Sequence, residues 1–204
     1  MGAVSLQNLS SFTLLESPTK VKNLAENAKK KGYSAIALTD INITYGLVDF
    51  YKAAKDTGIK PLLGMQLRIN GLIDEANKYD LIVIAKDDQG YKNILRLSSA
   101  VNLLTENGEK ENVLTFEDLK KYLGHLILIT PSNLHSELKM LQTNNPKMGA
   151  NYLRKLQDSL PSSSSMYLGV YADSGQQEYI NYIRSLATQF GLPLTAVEDG
   201  QYLN

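Results

Sequence analysis

Residues 36–66 read Ile-Ala-Leu-Thr-Asp-Ile-Asn-Ile-Thr-Tyr-Gly-Leu-Val-Asp-Phe-Tyr-Lys-Ala-Ala-Lys-Asp-Thr-Gly-Ile-Lys-Pro-Leu-Leu-Gly-Met-Gln. The run Ala35 to Leu38 is short and continuously apolar, the pattern of a strand covered on both faces, and it stops at Thr39-Asp40. Leu47, Phe50, Tyr51 and Ala54 then repeat at helical spacing and Gly58 ends that helix, after which Ile59 to Met65 reads as a further strand. An acidic strand end followed by helix and strand is a frame on which a metal site can be built. The positions just past the two strand ends, however, carry Ile41 and Gln66, where metal chemistry wants imidazole or carboxylate.

The alternation extends in both directions. Ser17-Pro18 predicts an N-cap and first turn for a helix with Val21, Leu24, Ala25 and Ala28 on its apolar side, closed by Gly32. Lys29 to Lys31 fall at the end of that helix, where cations suit the dipole without any nucleic acid. Downstream, Leu81 to Ala85 reads as a strand, and Tyr91, Ile94, Leu95 and Ser98 as one side of a helix. Thr105 to Asn112 reads as a loop, and Thr115 as the cap of a short helix with Asp118 as its acidic partner. Leu126 to Thr130 is a strand, 135–142 and 149–158 are helical, and Met166 to Tyr171 is a strand after a serine-rich loop. Ile180, Ile183, Ala187 and Phe190 mark the last helix, and Leu194 to Val197 the closing strand. Six or seven short apolar strands separated by amphipathic helices predict a parallel sheet, closed as a barrel or open and doubly wound. The barrel is preferred because polar residues end several different strands, Asp40, Gln66, Asn133 and Asp199, and a barrel brings such ends to one mouth. No glycine-rich phosphate fingerprint follows any strand.

Composition narrows the function. The 204 residues, 43% hydrophobic, fit one domain with a single core. Lysine plus arginine equals aspartate plus glutamate at 21 each, so the overall basic excess of an autonomous nucleic-acid binder is missing. The absence of cysteine removes disulfides, thiolate metal sites and a cysteine nucleophile. No apolar stretch approaches the roughly 20 residues that span a bilayer, so the expectation is a soluble, cytoplasmic protein with no membrane partner.

Candidate metal ligands are few. Asp40 and Asp199 end strands and Glu16 follows the first, but each aspartate has a simpler role in capping the turn after it. Of the two histidines, His125 precedes a strand, on the wrong rim for a barrel active site, and His135 sits in a helical segment without a ligand partner three or four residues away. No G-x-S-x-G is present for a serine hydrolase.

Taken together, Phe12-Thr-Leu-Leu-Glu16, Ala35-Ile-Ala-Leu-Thr-Asp40, Tyr45-Gly46, Phe50-Tyr-Lys-Ala-Ala54, Gly58-Ile-Lys-Pro-Leu-Leu-Gly64, Leu81-Ile-Val-Ile-Ala-Lys86, Gly90-Tyr-Lys-Asn-Ile94, Leu97-Ser-Ser99 and Asp199-Gly-Gln-Tyr-Leu203 resemble the polymerase and histidinol phosphatase (PHP) domain. The resemblance is to the form found at the N-terminus of the bacterial DNA polymerase III alpha subunit of low-GC Gram-positive bacteria. It implies an α/β fold, a distorted seven-stranded (β/α) barrel that is TIM-like, with residues 1–204 as a single PHP domain and an N-terminal fragment of a much longer polymerase chain. Active members of the family bind three divalent ions (zinc, manganese or magnesium) and hydrolyse phosphoesters, in some polymerases as a proofreading exonuclease. The family's histidine pair on strand one corresponds here to Gln7 and Leu9. Its threonine-aspartate-histidine reads Thr39, Asp40 and Ile41, and the glutamate after strand three reads Gln66. A further ligand position falls at Ser132 or Asn133, and the closing aspartate-any-histidine reads Asp199, Gly200 and Gln201.

Amide and aliphatic side chains lack the charge or the lone pairs that repay dehydration of a divalent ion. The expectation is therefore a degenerate metal site with no catalytic residue and no cofactor in this fragment. Its role would be structural and docking, with the other domains of the polymerase alpha subunit and replisome proteins as partners and DNA reached through the full-length polymerase. The alternative is a metal-dependent phosphoesterase or 3′-5′ exonuclease with a site rearranged around the surviving acids Glu16, Asp40 and Asp199. A third reading, a barrel for a small phosphorylated metabolite, rests on fold analogy alone.

Overall fold

A computed structural model describes residues 3–13, 17–103, 114–171 and 176–197. The elements run β1 (Val4–Ser5), α1 (Val21–Lys30), β2 (Ala35–Leu38), α2 (Leu47–Thr57), β3 (Lys60–Asn70), β4 (Lys78–Ala85) and α3 (Asp88–Leu103). They continue with α4 (Phe116–Lys120), β5 (Leu126–Thr130), α5 (Glu137–Asn144), α6 (Met148–Asp158), β6 (Ser165–Val170), α7 (Gln177–Phe190) and β7 (Leu194–Ala196). The strands form one seven-stranded sheet in the order β1 to β7, curled into a half-barrel.

The sheet is mixed, which corrects the all-parallel expectation: β3 pairs antiparallel with β4, and β4 antiparallel with β5. The cause is the connection. A parallel return needs a crossover of about a dozen residues or more, and the 71–77 link between β3 and β4 is too short for one. The chain therefore folds back as a hairpin, with Gln66 opposite Ile82 and Arg68 opposite Asp80. Strand β3 runs on past Met65 to Asn70, because Leu67 and Ile69 continue the buried alternation.

Most helices take the bounds that their stop signals imply. Gly58 and Gly191 end α2 and α7 at φ 69° and 63°, the left-handed conformation that glycine adopts without a Cβ penalty. Thr115 caps α4 by accepting from the Asp118 backbone N–H at 3.2 Å. Helix α1 begins later than expected, at Val21 with Lys20 before it; the Ser17 hydroxyl donates to the Leu9 carbonyl at 3.1 Å and accepts from the Thr19 N–H at 3.2 Å, in a turn ahead of the helix. Lys29 and Lys30 lie in its last turn, and Lys29 donates to the Gly58 carbonyl at 3.3 Å. On α3 the buried side is Ile94, Leu97 and Val101, while Leu95 is exposed. His135 precedes α5 rather than lying inside it. The 105–112 loop is outside the described residues.

The main core lies between the outer face of the sheet and the helices, from Leu24, Leu38 and Phe50 to Leu156, Leu168 and Ile183. A second, smaller cluster of Ala37, Ile82, Ile84, Ile129 and Val197 plugs the inside of the half-barrel. Side chains alternate across a strand, so this inner face is the one that also carries Gln66, Arg68 and Asp80. The plug separates a polar layer, at the C-terminal ends of β2 and β3, from an apolar layer at the opposite rim.

Candidate functional site

Strand β1 ends at Ser5, so Gln7 and Leu9 lie beyond it, in an extended segment held to the end of β2. Asn8 carries that attachment. Its carbonyl accepts from Thr39 N–H at 2.8 Å, its own N–H donates to Thr39 Oγ1 at 3.0 Å, and its side-chain amide donates to the Ala37 carbonyl at 3.0 Å. The attachment brings Gln7 against the end of β3, where Gln7 Nε2 donates to Gln66 Oε1 at 3.0 Å. Both amides are buried, at 1% and 2% exposure.

Gln66 passes the chain of bonds on, donating from Nε2 to Asp80 Oδ2 at 2.7 Å. Asp80, whose side chain is 0% exposed, is held on its other side by Arg68, with Nε to Oδ1 at 2.8 Å and one Nη to Oδ2 at 3.0 Å. The antiparallel turn of β4 makes this pair possible, since it places Asp80 directly opposite Arg68. The geometry is the two-pronged guanidinium–carboxylate contact, which fixes orientation as well as charge. A guanidinium thus supplies the positive charge beside the buried carboxylate.

Asp40 is 2% exposed and already occupied. Its Oδ1 accepts from Ser10 N–H and from Thr13 Oγ1, and its Oδ2 from Ser10 Oγ, each at 2.7 Å. Thr13 Oγ1 also accepts from the Ile41 backbone N–H at 3.2 Å. Ile41 bridges Gln66, which brings the two family motif positions side by side. Leu9 is 1% exposed, packed in the interior rather than presented to a mouth. Ser132, also buried, directs its hydroxyl to the Val197 carbonyl at 3.5 Å.

The structure therefore brings Gln7, Asp40, Ile41 and Gln66 together. Glu16, Asp199 and Gln201 lie outside the described residues. Neither histidine joins this group. His125, with φ 61°, sits just before β5 and pairs through Nδ1 with Asp87 Oδ2 at 2.8 Å. The Gly90 backbone N–H and then His125 hold the Asp87 carboxyl below its usual range. His135 is exposed. Among the described residues no three His, Cys, Asp or Glu side chains gather in a way that could hold a metal ion.

Sequence reasoning missed Asp80, Arg68, Ser10 and Thr13. The signal for the first two was the alternation Met65, Leu67, Ile69 against Gln66, Arg68, Asn70, which extends the strand and calls for an opposing partner. It also missed Glu137. This buried carboxylate at the start of α5 accepts from the backbone N–H groups of Leu72, Ile73 and Asp74 at 2.7, 2.7 and 2.9 Å, pinning the β3–β4 turn.

The comparisons with known proteins bear on the family and the fold. The profile of the PHP domain matches residues 5–171. DNA polymerase III subunit alpha of Halalkalibacterium halodurans is 32% identical over 204 residues, covering 100% of this chain and 18% of that protein. The Bacillus subtilis subunit is 30% identical over 203 residues, covering 100% and 18%. The chain thus spans less than a fifth of the length of these relatives. Among solved structures, a putative metal-dependent phosphoesterase from Bifidobacterium adolescentis matches with a TM-score of 0.63 at 13% identity, over 98% of this chain and 87% of that one. An amidohydrolase from Chromobacterium violaceum, with bound sulfate and no metal, matches with a TM-score of 0.64 at 12% identity, over 96% and 86%. At such identities these two structures speak to the fold alone.

Proposed function

The chain belongs to the PHP domain family, and from that premise we propose that it is a catalytically inactive PHP domain of a replicative DNA polymerase III alpha subunit, kept for structure and docking. The carrying observation is the Gln7–Gln66–Asp80–Arg68 network, in which Gln7 and Gln66, two positions that the family resemblance gives to metal ligands, bond to each other. Among the described residues the donor set is two neutral amides, two aliphatic side chains, Asp40 with three hydrogen bonds and Asp80 already paired with Arg68, which does not fit divalent ions. Three of the roughly four lone-pair sites of the Asp40 carboxylate are already taken by Ser10 and Thr13, which leaves a metal little to bind and little uncompensated negative charge. The Arg68 guanidinium lies where a second positive charge is repelled.

The partners in this reading are the remaining domains of the polymerase chain and other replisome proteins, in the cytoplasm. DNA is reached through the whole polymerase, because this chain is net neutral. Among the described residues no helix is long and apolar enough to cross a membrane. The test is nucleotide release from a DNA 3′ end with manganese present. No release is expected from the purified chain. Manganese-dependent release that Asp40→Ala abolishes would instead establish the alternative, a phosphoesterase or exonuclease built on the surviving acids.

A further inference from the structure

We infer that the apolar floor of the half-barrel, on the far side of the plug from the Gln7–Arg68 network, is a binding site for a single-chain amphiphile with an anionic head, of the fatty-carboxylate class. A cavity of about 780 Å³, within the roughly 300–1,000 Å³ range of small-molecule pockets, includes this floor and continues round the β3–β4 rim to α2 and α3, where Leu47, Tyr51 and Tyr91 line it. Its floor is Leu6, Leu62, Ile84, Ile127 and Tyr167, side chains from five neighbouring segments of the curled sheet. In a closed barrel the corresponding layer fills itself with side chains. Among the described residues the sheet runs from β1 on one side to β7 on the other, and Leu6, Leu62, Ile127 and Tyr167 pack on the plug yet stay only partly buried. Apolar surface left wet in a concave site favours an apolar occupant.

Charge at the lip selects the head group. Lys60, at the start of β3, lines the cavity and is exposed; its backbone N–H donates to the Ser34 carbonyl at 3.3 Å, while its ammonium has no hydrogen-bond or ion-pair partner among the described residues. Beside it Tyr51 lines the wall, with Lys55 5.5 Å above its ring. The other charged groups at the lip are mostly engaged. Lys86 donates to the Ser163 carbonyl at 2.7 Å, and Asp87 accepts from Gly90 N–H at 3.0 Å and pairs with His125. One carboxylate on Lys60 with an alkyl chain laid along Leu62 and Ile127 satisfies both features. A polyanion is disfavoured, because Asp87 and Asp88 line the same cavity and its floor is mainly aliphatic.

The experiment is isothermal titration of the delipidated chain with dodecanoate below its micellar concentration, alongside dodecyltrimethylammonium and anionic phospholipid vesicles. The expected result is saturable one-to-one binding of dodecanoate, weakened about tenfold by Lys60→Glu with the ligand-free Tm unchanged, and about tenfold weaker binding of the cationic amphiphile. Ile127→Phe, which fills the floor without touching the lip, should also weaken dodecanoate. No saturable binding, equal binding of the two amphiphiles, insensitivity to both variants, or binding to vesicles without binding to monomer would each overturn the assignment.

Discussion

Replacing Arg68 with methionine should expose how much of the site's integrity rests on one ion pair. The substitution keeps the length of the side chain and removes both contacts to Asp80, at 2.8 and 3.0 Å. It leaves a carboxylate with 0% side-chain exposure supported by the Gln66 amide alone. Breaking a buried pair from one side costs about 3–5 kcal/mol. Arg68 is itself 27% exposed, so water reaching the vacated end offsets part of that, and a loss of about 2–4 kcal/mol follows. This is a large share of the roughly 5–15 kcal/mol that holds a domain together. Urea unfolding followed by circular dichroism reads it as a lower midpoint at unchanged slope. Adding Asp80→Asn removes the stranded charge while keeping an acceptor for Gln66, and should recover all but about 1 kcal/mol. A loss under about 0.5 kcal/mol for Arg68→Met, or a double variant less stable than the single one, would show that the pair does not organise this layer.

Asp40→Asn should cost about 1–3 kcal/mol and speed hydrogen exchange at Ser10, since it weakens three bonds to the 10–13 segment; unchanged exchange would contradict that role. Glu137→Gln should loosen the 72–74 amides, with a loss of about 2 kcal/mol, read by the same two methods. Stability should also fall steeply above about pH 10. Burial pushes the Tyr179 hydroxyl up from 10.0 to about 12 and that of Tyr152 well above 10.0. A raised folded value means the folded state keeps protons that the unfolded state sheds, so the contribution is whole below 10 and lost as pH climbs toward 12. Tyr179→Phe should flatten the decline of the unfolding free energy from urea titration between about pH 9.5 and 11.5, by on the order of 1 kcal/mol per pH unit, and an unchanged slope would count against it.

How far the fold could be read from sequence depended on the kind of signal. Ala35–Leu38 and Leu126–Thr130 form strands with the expected bounds, because short apolar runs between turn residues have few competing conformations. The Thr115 cap and the stop at Gly58 are local chemistry and appear as expected. The reversal of β4 was hidden, since Ile59 to Met65 looked complete as a strand and Leu67 and Ile69 beyond it stand singly between polar residues, a weaker signal than a continuous apolar run. Missing that reversal hid the Arg68–Asp80 pair, which exists only through cross-strand register. The Asp40 partners were equally invisible, because Ser10 and Thr13 lie outside regular helix and strand and reach Asp40 only across 30 and 27 positions of chain. That Gln7 and Gln66 would lie close came from the family resemblance, not from spacing; that they would bond to each other came from the structure.

The most direct measurement is the metal content of the purified chain by inductively coupled plasma mass spectrometry, after incubation with manganese and zinc and exhaustive dialysis. A site closed by its own hydrogen bonds should return only trace metal, the same for the unsubstituted chain and for Asp40→Asn. Two or more ions retained per chain, and lost in Asp40→Asn, would mean that the Gln7–Arg68 layer is a metal centre after all.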